Sequence, residues 1–530
     1  NSKQISASSN LYLNWDKKYD LHAIDLRGGV RYNNDSYRGE FGSGHNTPTD
    51  LNPNLSKDLK YRQAHGYDDN WTSISWYATG SYSFLDKYFL NAVATADASS
   101  RFGKDADMLK VAGVRWAIFP SVDAAWLVSS ENFMKAVPAI NLLKVRLGYG
   151  YAGNDNIPIG STVTYFSPVQ YINEYTGKLI SNIGNPYLKP EVVEKGNLGI
   201  DLNVLNNRLS VSADVYHHVT HNLLALKSLG SISGMDTYWT NEGELQNNGI
   251  EISLNAVLLA LKNFRWDLSG SIAHYKNKIL QLPDGDYINN IYGAEIRTAV
   301  GQPAGLFYGY KTLGVFSTTD EALAANLKVA DLTGIGFHSF KAGDMHFEDR
   351  NPDGNIDEKD KTIIGDPNPD FTGSFNTRLS YKKLSLTALF TYSYGNDVYN
   401  YVRSQLEAGS YLKNQSAALQ NRWINEGQHT SIPQSSYGDV MGNARFSDRW
   451  IEDGSYLRFK SLTLSYDVAI KSQAISGFTI WGSVNNIFTL TKYLGSDPEF
   501  SINNSVVYQG IDAGLLPQGR SCFVGLKLNL

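Results

Sequence analysis

Leu205-Asn206-Asn207-Arg208-Leu209-Ser210-Val211-Ser212-Ala213-Asp214-Val215-Tyr216 is the stretch whose reading decides the fold. A short asparagine-rich turn opens into a segment where Leu209, Val211, Ala213 and Val215 alternate with Ser210, Ser212, Asp214 and Tyr216. Successive side chains of a strand point to opposite faces, so one face here meets an apolar medium and the other a polar one. Ile250, Ile252, Leu254 and Ala256 alternate with Glu251, Ser253 and Asn255 in the same way. The chain closes on Cys522, Val524, Leu526, Leu528 and Leu530, interleaved with Ser521, Phe523, Gly525, Lys527 and Asn529. One such strand suits a soluble sandwich equally well. The connections separate the two readings.

Those connections are either terse or very long. Asp16-Lys17-Lys18-Tyr19-Asp20, Leu85-Asp86-Lys87, Leu205-Asn206-Asn207 and Tyr381-Lys382-Lys383 read as tight turns, whereas 33–70, 154–191 and 395–449 far exceed what a hairpin needs. Terse turns on one rim and long loops on the other are the pattern of an all-β transmembrane antiparallel β-barrel. Strands are expected near 8–15, 21–32, 71–84, 88–99, 112–127, 142–152, 192–204, 208–220, 246–258, 264–278, 291–300, 305–316, 371–381, 384–394, 455–468, 477–490 and 520–530. That makes about seventeen, where single-chain bacterial barrels have even numbers. With the C-terminus in the periplasm every tight turn falls on the periplasmic rim, provided that Gly301-Gln302-Pro303-Ala304 is a periplasmic turn as well. Residues 317–370 then form a long extracellular loop. An open barrel would leave strand edges unpaired in lipid, so residues 1–530 are expected to be the C-terminal part of a larger barrel with strands upstream.

Composition agrees. The 530 residues carry net charge −5, with 47 glycines, 33 tyrosines, 10 tryptophans and one cysteine. Mean hydropathy is −0.31. No run approaches the ~20 apolar residues of a spanning helix, and a barrel hides its apolar surface in alternate residues. Tyrosine and tryptophan suit membrane interfaces. The near-neutral charge gives no hint of nucleic acid, and the lone Cys522 excludes an intrachain disulfide framework.

Short words in order along the chain carry a family resemblance. They are Phe119-Pro120-Ser121-Val122 with Ala125-Trp126, the run Leu143 to Gly150 ending in Gly153-Asn154, Leu188-Lys189-Pro190-Glu191, Asn247-Asn248-Gly249-Ile250-Glu251 and Phe307-Tyr308-Gly309-Tyr310. Asp349 to Asp357, Gly365 to Phe371, Gly395 to Asn400, Gly454 to Arg458, Asn485-Asn486-Ile487-Phe488 and Asp497-Pro498-Glu499 continue the series. With these words the chain resembles the C-terminal two-thirds or so of the barrel of SusC/RagA-type TonB-dependent transporters from Bacteroidota. The resemblance implies a barrel of 22 strands with a plugged lumen, set in the outer membrane of a Gram-negative cell and in contact with its lipid. It further implies a SusD-like surface lipoprotein as lid and coupling to TonB-ExbB-ExbD through an upstream plug. Neither plug nor TonB box falls within these residues, so none of them is assigned to energy coupling.

The sharpest local motif runs from Asp349 to Asp360. Asp349, Asn351 and Asp353 stand at positions one, three and five of a calcium loop, Gly354 at six, Asn355 at seven, Asp357 at nine and Asp360 at twelve. Spacing by two gathers successive side-chain oxygens, Gly354 permits the sharp turn, Asn355 offers its backbone carbonyl, and Asp357 can act through water. Asp360 replaces the usual glutamate, with a shorter reach. The expectation is a structural Ca²⁺ that braces a long loop; a metal-free turn built from Asn, Asp and Gly is the alternative.

Other patterns carry less. Gly148 to Gly153 satisfies G-x-G-x-x-G but ends a strand with no helix to receive a phosphate. His217, His218 and His221 read as hydrophilic residues at a strand's outer end, because neighbours on a strand face opposite ways. No nucleophile, zinc or nucleotide signature occurs, and neither catalysis nor an organic cofactor is expected. In the long loops Tyr238, Trp239, Tyr287, Tyr292 and Tyr399 could stack on sugar rings or peptide side chains, and packing of the loops among themselves is the other reading of the same aromatics. The functional expectation is active import of glycans or oligosaccharides, with oligopeptides as the second class. A passive porin or structural barrel is one alternative, and a soluble all-β glycan-binding or glycan-cleaving protein is another.

Overall fold

The computed structural model describes residues 2–45, 61–171, 175–229, 232, 234, 235, 237–331, 336–468, 477–503 and 505–529. Two compact units divide the chain, one of residues 1–201, 215–247 and 280–284, the other of 202–214, 248–279 and 285–530. Among the described residues, fifteen strands of the main sheet pair in chain order. They are β1 (Ser2–Tyr19), β2 (His22–His45), β3 (Tyr61–Phe84), β4 (Tyr88–Ser99), β5 (Val114–Leu127), β6 (Ile140–Asn154), β7 (Glu191–Val204) and β8 (Leu209–Ser228). There follow β9 (Thr237–Ala260), β10 (Phe264–Gln281), β11 (Phe371–Tyr381), β12 (Leu384–Tyr394), β13 (Tyr456–Val468), β14 (Gly477–Thr491) and β15 (Ser521–Asn529). Leu109–Val111 adds a short strand beside β5.

Antiparallel register turns the alternation of each strand into a continuous face. In the first unit Leu11 lies opposite Val30, Val30 opposite Trp76, and Trp15 opposite Leu26. Leu90 faces Ala124, and Val122 faces Tyr149. In the second unit Leu379 faces Leu386, Leu386 faces Leu464, Tyr466 faces Ile480, and Ile480 faces Leu526. This apolar face is open to the surroundings, with Leu13 81%, Val524 85% and Leu526 67% exposed. A surface so apolar and so extensive matches a lipid-contacting wall. The opposite face is polar: Arg146 grips Asp201 at 2.8 and 3.0 Å in the first unit, and Thr463 donates to Ser483 at 3.0 Å in the second.

The terse turns hold left-handed residues. Leu85 and Asp86 have φ of 59° and 52°, Leu205, Asn206 and Asn207 lie at 57–61°, and Lys382 is at 52°. The first turn is tighter than the sequence implies. Tyr19 still pairs with His22, so Asp20 and Leu21 make the reversal and Asp16 to Tyr19 belong to β1. Since successive strands run antiparallel, the connections at 20–21, 85–87 and 128–139 leave one end of the first unit's strands, and 100–113 and 155–190 leave the other. In the second unit 382–383 leaves the terse end, and 282–370, 395–455 and 492–520 leave the other.

Two expected wall strands, 291–300 and 305–316, are not in the main sheet. β10 pairs directly with β11, from Phe264 opposite Tyr381 to Ala273 opposite Thr372, so 282–370 is a single excursion. The long loop therefore begins well before 317. Ala294–Thr298 and Leu306–Gly309 join Tyr287–Ile291 and Thr362–Gly365 in a four-stranded sheet. Their apolar residues pack a dry loop core rather than facing lipid: Ala294, Ile296 and Phe307 are buried beside Trp450 and Ile511. Gly301-Gln302-Pro303-Ala304 is held to β10 within that excursion, with Gly301 donating to the Ile279 carbonyl at 2.8 Å. It is no periplasmic turn. Conversely, 33–70 is mostly hairpin, because β2 and β3 stay in register from Asn33–Ser73 to His45–Tyr61. Residues 46–60 lie outside the described residues.

The long connections are folded, not slack. Phe316, Phe340, Met345, Phe347 and Ile356 form one buried cluster in the second unit. In the first unit Phe102, Phe119, Ile157 and Leu188 form another, with Trp239 packed against it.

Candidate functional site

The Asp349–Asp360 turn begins after Met345–Phe347 and ends in a short helical turn, Glu358–Asp360. Gly354 holds φ +79°, which only glycine adopts without strain. Its N–H donates to Asp349 Oδ2 at 2.8 Å, and the Asp353 N–H reaches Asp349 Oδ1 at 3.3 Å. Asn355 N–H donates to Asp353 Oδ1 at 2.8 Å, and this bond holds the Asp353 carboxyl below the usual carboxylate range. Asn351 Nδ2 donates to Asp353 Oδ2 at 2.8 Å, while Asn351 Oδ1 is buried with no hydrogen-bond partner among the described residues. Ile356 anchors the turn in the loop core, and its N–H donates to the Lys328 carbonyl at 2.8 Å. Asp357 Oδ1 accepts from Lys359 N–H at 2.8 Å. The fully buried Asp360 accepts from Arg350 N–H at 2.9 Å and Asp357 N–H at 2.8 Å. It acts as a cap, each oxygen keeping a lone pair. Among the described residues no three His, Cys, Asp or Glu side chains converge as a metal-binding group. An ion here would draw on Asn351 Oδ1 and backbone oxygen as well as carboxylate.

The five aromatic candidates separate into three situations. Tyr399 is 3% exposed. Its hydroxyl donates to the Tyr292 carbonyl at 3.1 Å and lies 3.0 Å from Ser404 Oγ. As a stacking residue it is corrected to a core residue of the loop sheet, because Phe307, Trp450 and Ile511 enclose it. Tyr292 and Tyr287 are exposed; the Tyr292 ring packs on Tyr401 at 5.1 Å, and Tyr287 pairs with Thr298 across a hairpin. Tyr238 and Trp239 are consecutive in β9 and belong to the first unit. Trp239 packs on the Phe102 cluster, and Tyr238 lines a cleft of about 540 Å³.

That cleft was not legible from sequence beyond Tyr238. Asn241 clamps its floor, accepting from Lys189 N–H at 2.9 Å and donating to the Asn222 carbonyl at 2.8 Å. Asn185 Nδ2 donates to the Trp239 carbonyl at 2.9 Å. These amides are spent on the wall. Tyr187, 65% exposed, is left on its edge with Tyr238 and Asp107. The word Leu188-Lys189-Pro190-Glu191 now has a physical meaning: Leu188 is buried, and Glu191 accepts from Leu224 N–H at 2.9 Å and Asn154 Nδ2 at 2.7 Å. Elsewhere in the first unit His221 sits between two carboxylates, Nε2 3.2 Å from Glu194 and Nδ1 2.6 Å from Glu244.

A wall with one apolar and one polar face, terse turns at one end and folded excursions at the other define an outer-membrane β-barrel. The family described as TonB dependent receptor-like, beta-barrel matches residues 1–487, and the chain belongs to it. Over 98% of its length it is 30% identical to TonB-dependent receptor P3 of Formosa agariphila, covering 52% of that protein. It is 29% identical to TonB-dependent receptor SusC of Bacteroides thetaiotaomicron, over 99% of this chain and 50% of that one. The RagAB peptide transporter shares the fold, with a TM-score of 0.81 at 22% identity, over 99% of this chain and 56% of that one. The chain spans about half the length of the curated relatives it matches.

Proposed function

We propose that the chain is the barrel portion of a SusC-like TonB-dependent importer that takes up oligosaccharides, working without covalent chemistry. The observation that carries this reading is the fate of the long connections. They fold around buried clusters of their own and, in the first unit, edge a cleft with Tyr187 and Tyr238 beside amide-rich walls. Tyrosine faces suit sugar rings, whose faces are apolar. A SusD-like lipoprotein would cover the loops, and TonB-ExbB-ExbD would act through a plug of the same protein. Relatives named for receptors and SusC favour this reading over a passive porin, and the exposed apolar face of the sheet favours it over a soluble glycan-binding or glycan-cleaving protein. Oligopeptides are the second class, since a peptide transporter shares the fold. Uptake of labelled oligosaccharides by cells carrying the full-length protein, with and without a functional TonB, tests it. TonB-independent uptake, or uptake of peptides alone, rejects it.

Ca²⁺ is proposed to brace the Asp349–Asp360 turn. The unpartnered Asn351 Oδ1 and the Asp349 and Asp353 carboxylates support the assignment, with Asp357, Asp360 and the Asn355 backbone completing the set. Its part is structural. Calorimetry of Ca²⁺ binding to the full-length protein should show a site lost in both Asp349→Ala and Asp353→Ala. Unchanged heats reject it.

A further inference from the structure

We infer that the second unit holds a cleft shaped for a single uncharged sugar ring. It opens where Pro367 and Pro369, the ends of β11 and β12, the first residue of β13, residues 498–500 and residues 509–510 meet, and its volume is about 420 Å³. Small-molecule sites run from about 300 to 1,000 Å³. None of its lining residues belongs to the turn, to the Tyr238 cleft or to the aromatic candidates.

Three features fix the chemistry. Tyr456, Phe500 and Pro498 supply apolar planes, which pack on the C–H faces of a pyranose. Thr391 Oγ1, in the cleft wall, is buried and has no hydrogen-bond partner among the described residues. A buried hydroxyl left unpaired is costly, and a ligand hydroxyl would relieve that cost. Asn396 Oδ1 already accepts from Ser393 Oγ at 2.8 Å, which leaves its amide N–H groups as donors. Charge is the third feature. The one ionisable carboxylate of the lining, Glu499, is held by Lys460 Nζ at 3.2 Å and lies 3.1 Å from Arg458 Nε. With no lysine or arginine in the lining, an anionic ligand would shed its hydration and find no counter-charge, and a cationic one would find Glu499 already engaged by Lys460. A ring with apolar faces and hydroxyl edges loses nothing of that kind.

The cleft is also held rigid. Arg458 binds Asp497, and Asp497 accepts from Glu499 N–H and Gln518 N–H, both at 2.9 Å. Gln509 Nε2 closes the other side on the Pro367 carbonyl at 3.1 Å. Such preorganisation lowers the cost of ordering on binding.

This inference deepens the oligosaccharide reading above and rests on it. The test titrates the detergent-solubilised full-length protein calorimetrically with maltotetraose, mannotetraose and xylotetraose, and with the uncharged peptide N-acetyl-tetra-alanine amide. Thr391→Val removes the hydroxyl and keeps the shape; Phe500→Ala removes an apolar plane; Thr391→Ser restores the hydroxyl. Heat-modifiable electrophoretic mobility confirms that each variant is folded. The expected result is a saccharide whose affinity falls about 3- to 10-fold in Thr391→Val, the worth of one neutral hydrogen bond, and recovers in Thr391→Ser. Phe500→Ala should weaken it too. Saccharide binding unchanged in both Thr391→Val and Phe500→Ala overturns the cleft and leaves the oligosaccharide reading standing. Binding of the peptide and of no saccharide overturns both.

Discussion

The phenol of Tyr399 sits among Phe307, Trp450 and Ile511, with its oxygen 3.1 Å from the Tyr292 carbonyl and 3.0 Å from Ser404 Oγ. Burial pushes its pKa from 10.0 up to about 12. The folded value lies above the unfolded one, so the stabilisation it brings is complete below pH 10 and is lost as the pH climbs through about 12. Absorbance at the phenolate band should show one tyrosine fewer ionising near pH 12 in Tyr399→Phe than in the unchanged protein, and near-ultraviolet circular dichroism should show the loop sheet loosening over the same range. Tyr399→Phe leaves the ring and removes the hydroxyl, and is expected to cost about 1 kcal/mol of exterior stability by proteolysis. At Gly354, φ +79° means that Gly354→Ala should cost about 1 kcal/mol and weaken the proposed Ca²⁺ binding in calorimetry. Gly354 was legible because its spacing from Asp349 fixes its role before any coordinate is known. Tyr399 was not. A tyrosine in a long polar stretch reads as a binding group, and nothing local records that Trp450, far along the chain, will cover it.

At the scale of elements, legibility follows the lipid. Wall strands such as β8 and β15 were readable because their two faces meet different media, and the reversals at Leu85–Asp86 and Leu205–Asn207 because little else fits between such strands. Where that contrast ends, so does the signal: β2 and β3 keep pairing through Asn33-Asn34-Asp35-Ser36, which has no greasy side to betray a strand. Ala294–Thr298 and Leu306–Gly309 failed in the opposite sense, being apolar for an interior of their own. Across β11 to β14, Phe375 stacks on Phe390 at 4.6 Å, Phe390 on Phe459 at 4.4 Å, and Phe459 meets Phe488 edge-on at 5.6 Å. This ladder spans a register shift between Phe459 and Ser461 in the β13–β14 pairing. Phe390→Ala removes two stacked contacts and is expected to destabilise the wall by about 1–3 kcal/mol. Urea unfolding in lipid vesicles measures it, and Phe488→Ala, with one edge contact, should cost less.

Over the whole molecule the governing rule is that neighbouring residues live in different solvents. Leu464 stands on the apolar face, opposite Leu386, and Ser465 beside it on the polar face, opposite Ser385. Leu464→Arg should cost about 2–4 kcal/mol if the site lies near the bilayer midplane, and membrane assembly of the full-length protein should fall with it. Ser465→Arg, one residue along, should assemble normally. Equal penalties at the two positions would refute the assignment of faces.

The excursions from the second unit's wall share their nuclei: Phe347 and Met345 cluster with Met441, and Phe307, Trp450 and Ile511, one from each excursion, cluster together. Their outer skin can therefore be rewritten, residue by residue, while the shared nuclei beneath and the ladder below keep their form. A protein built in this manner can change what it greets at the cell surface without relearning how to stand in the membrane.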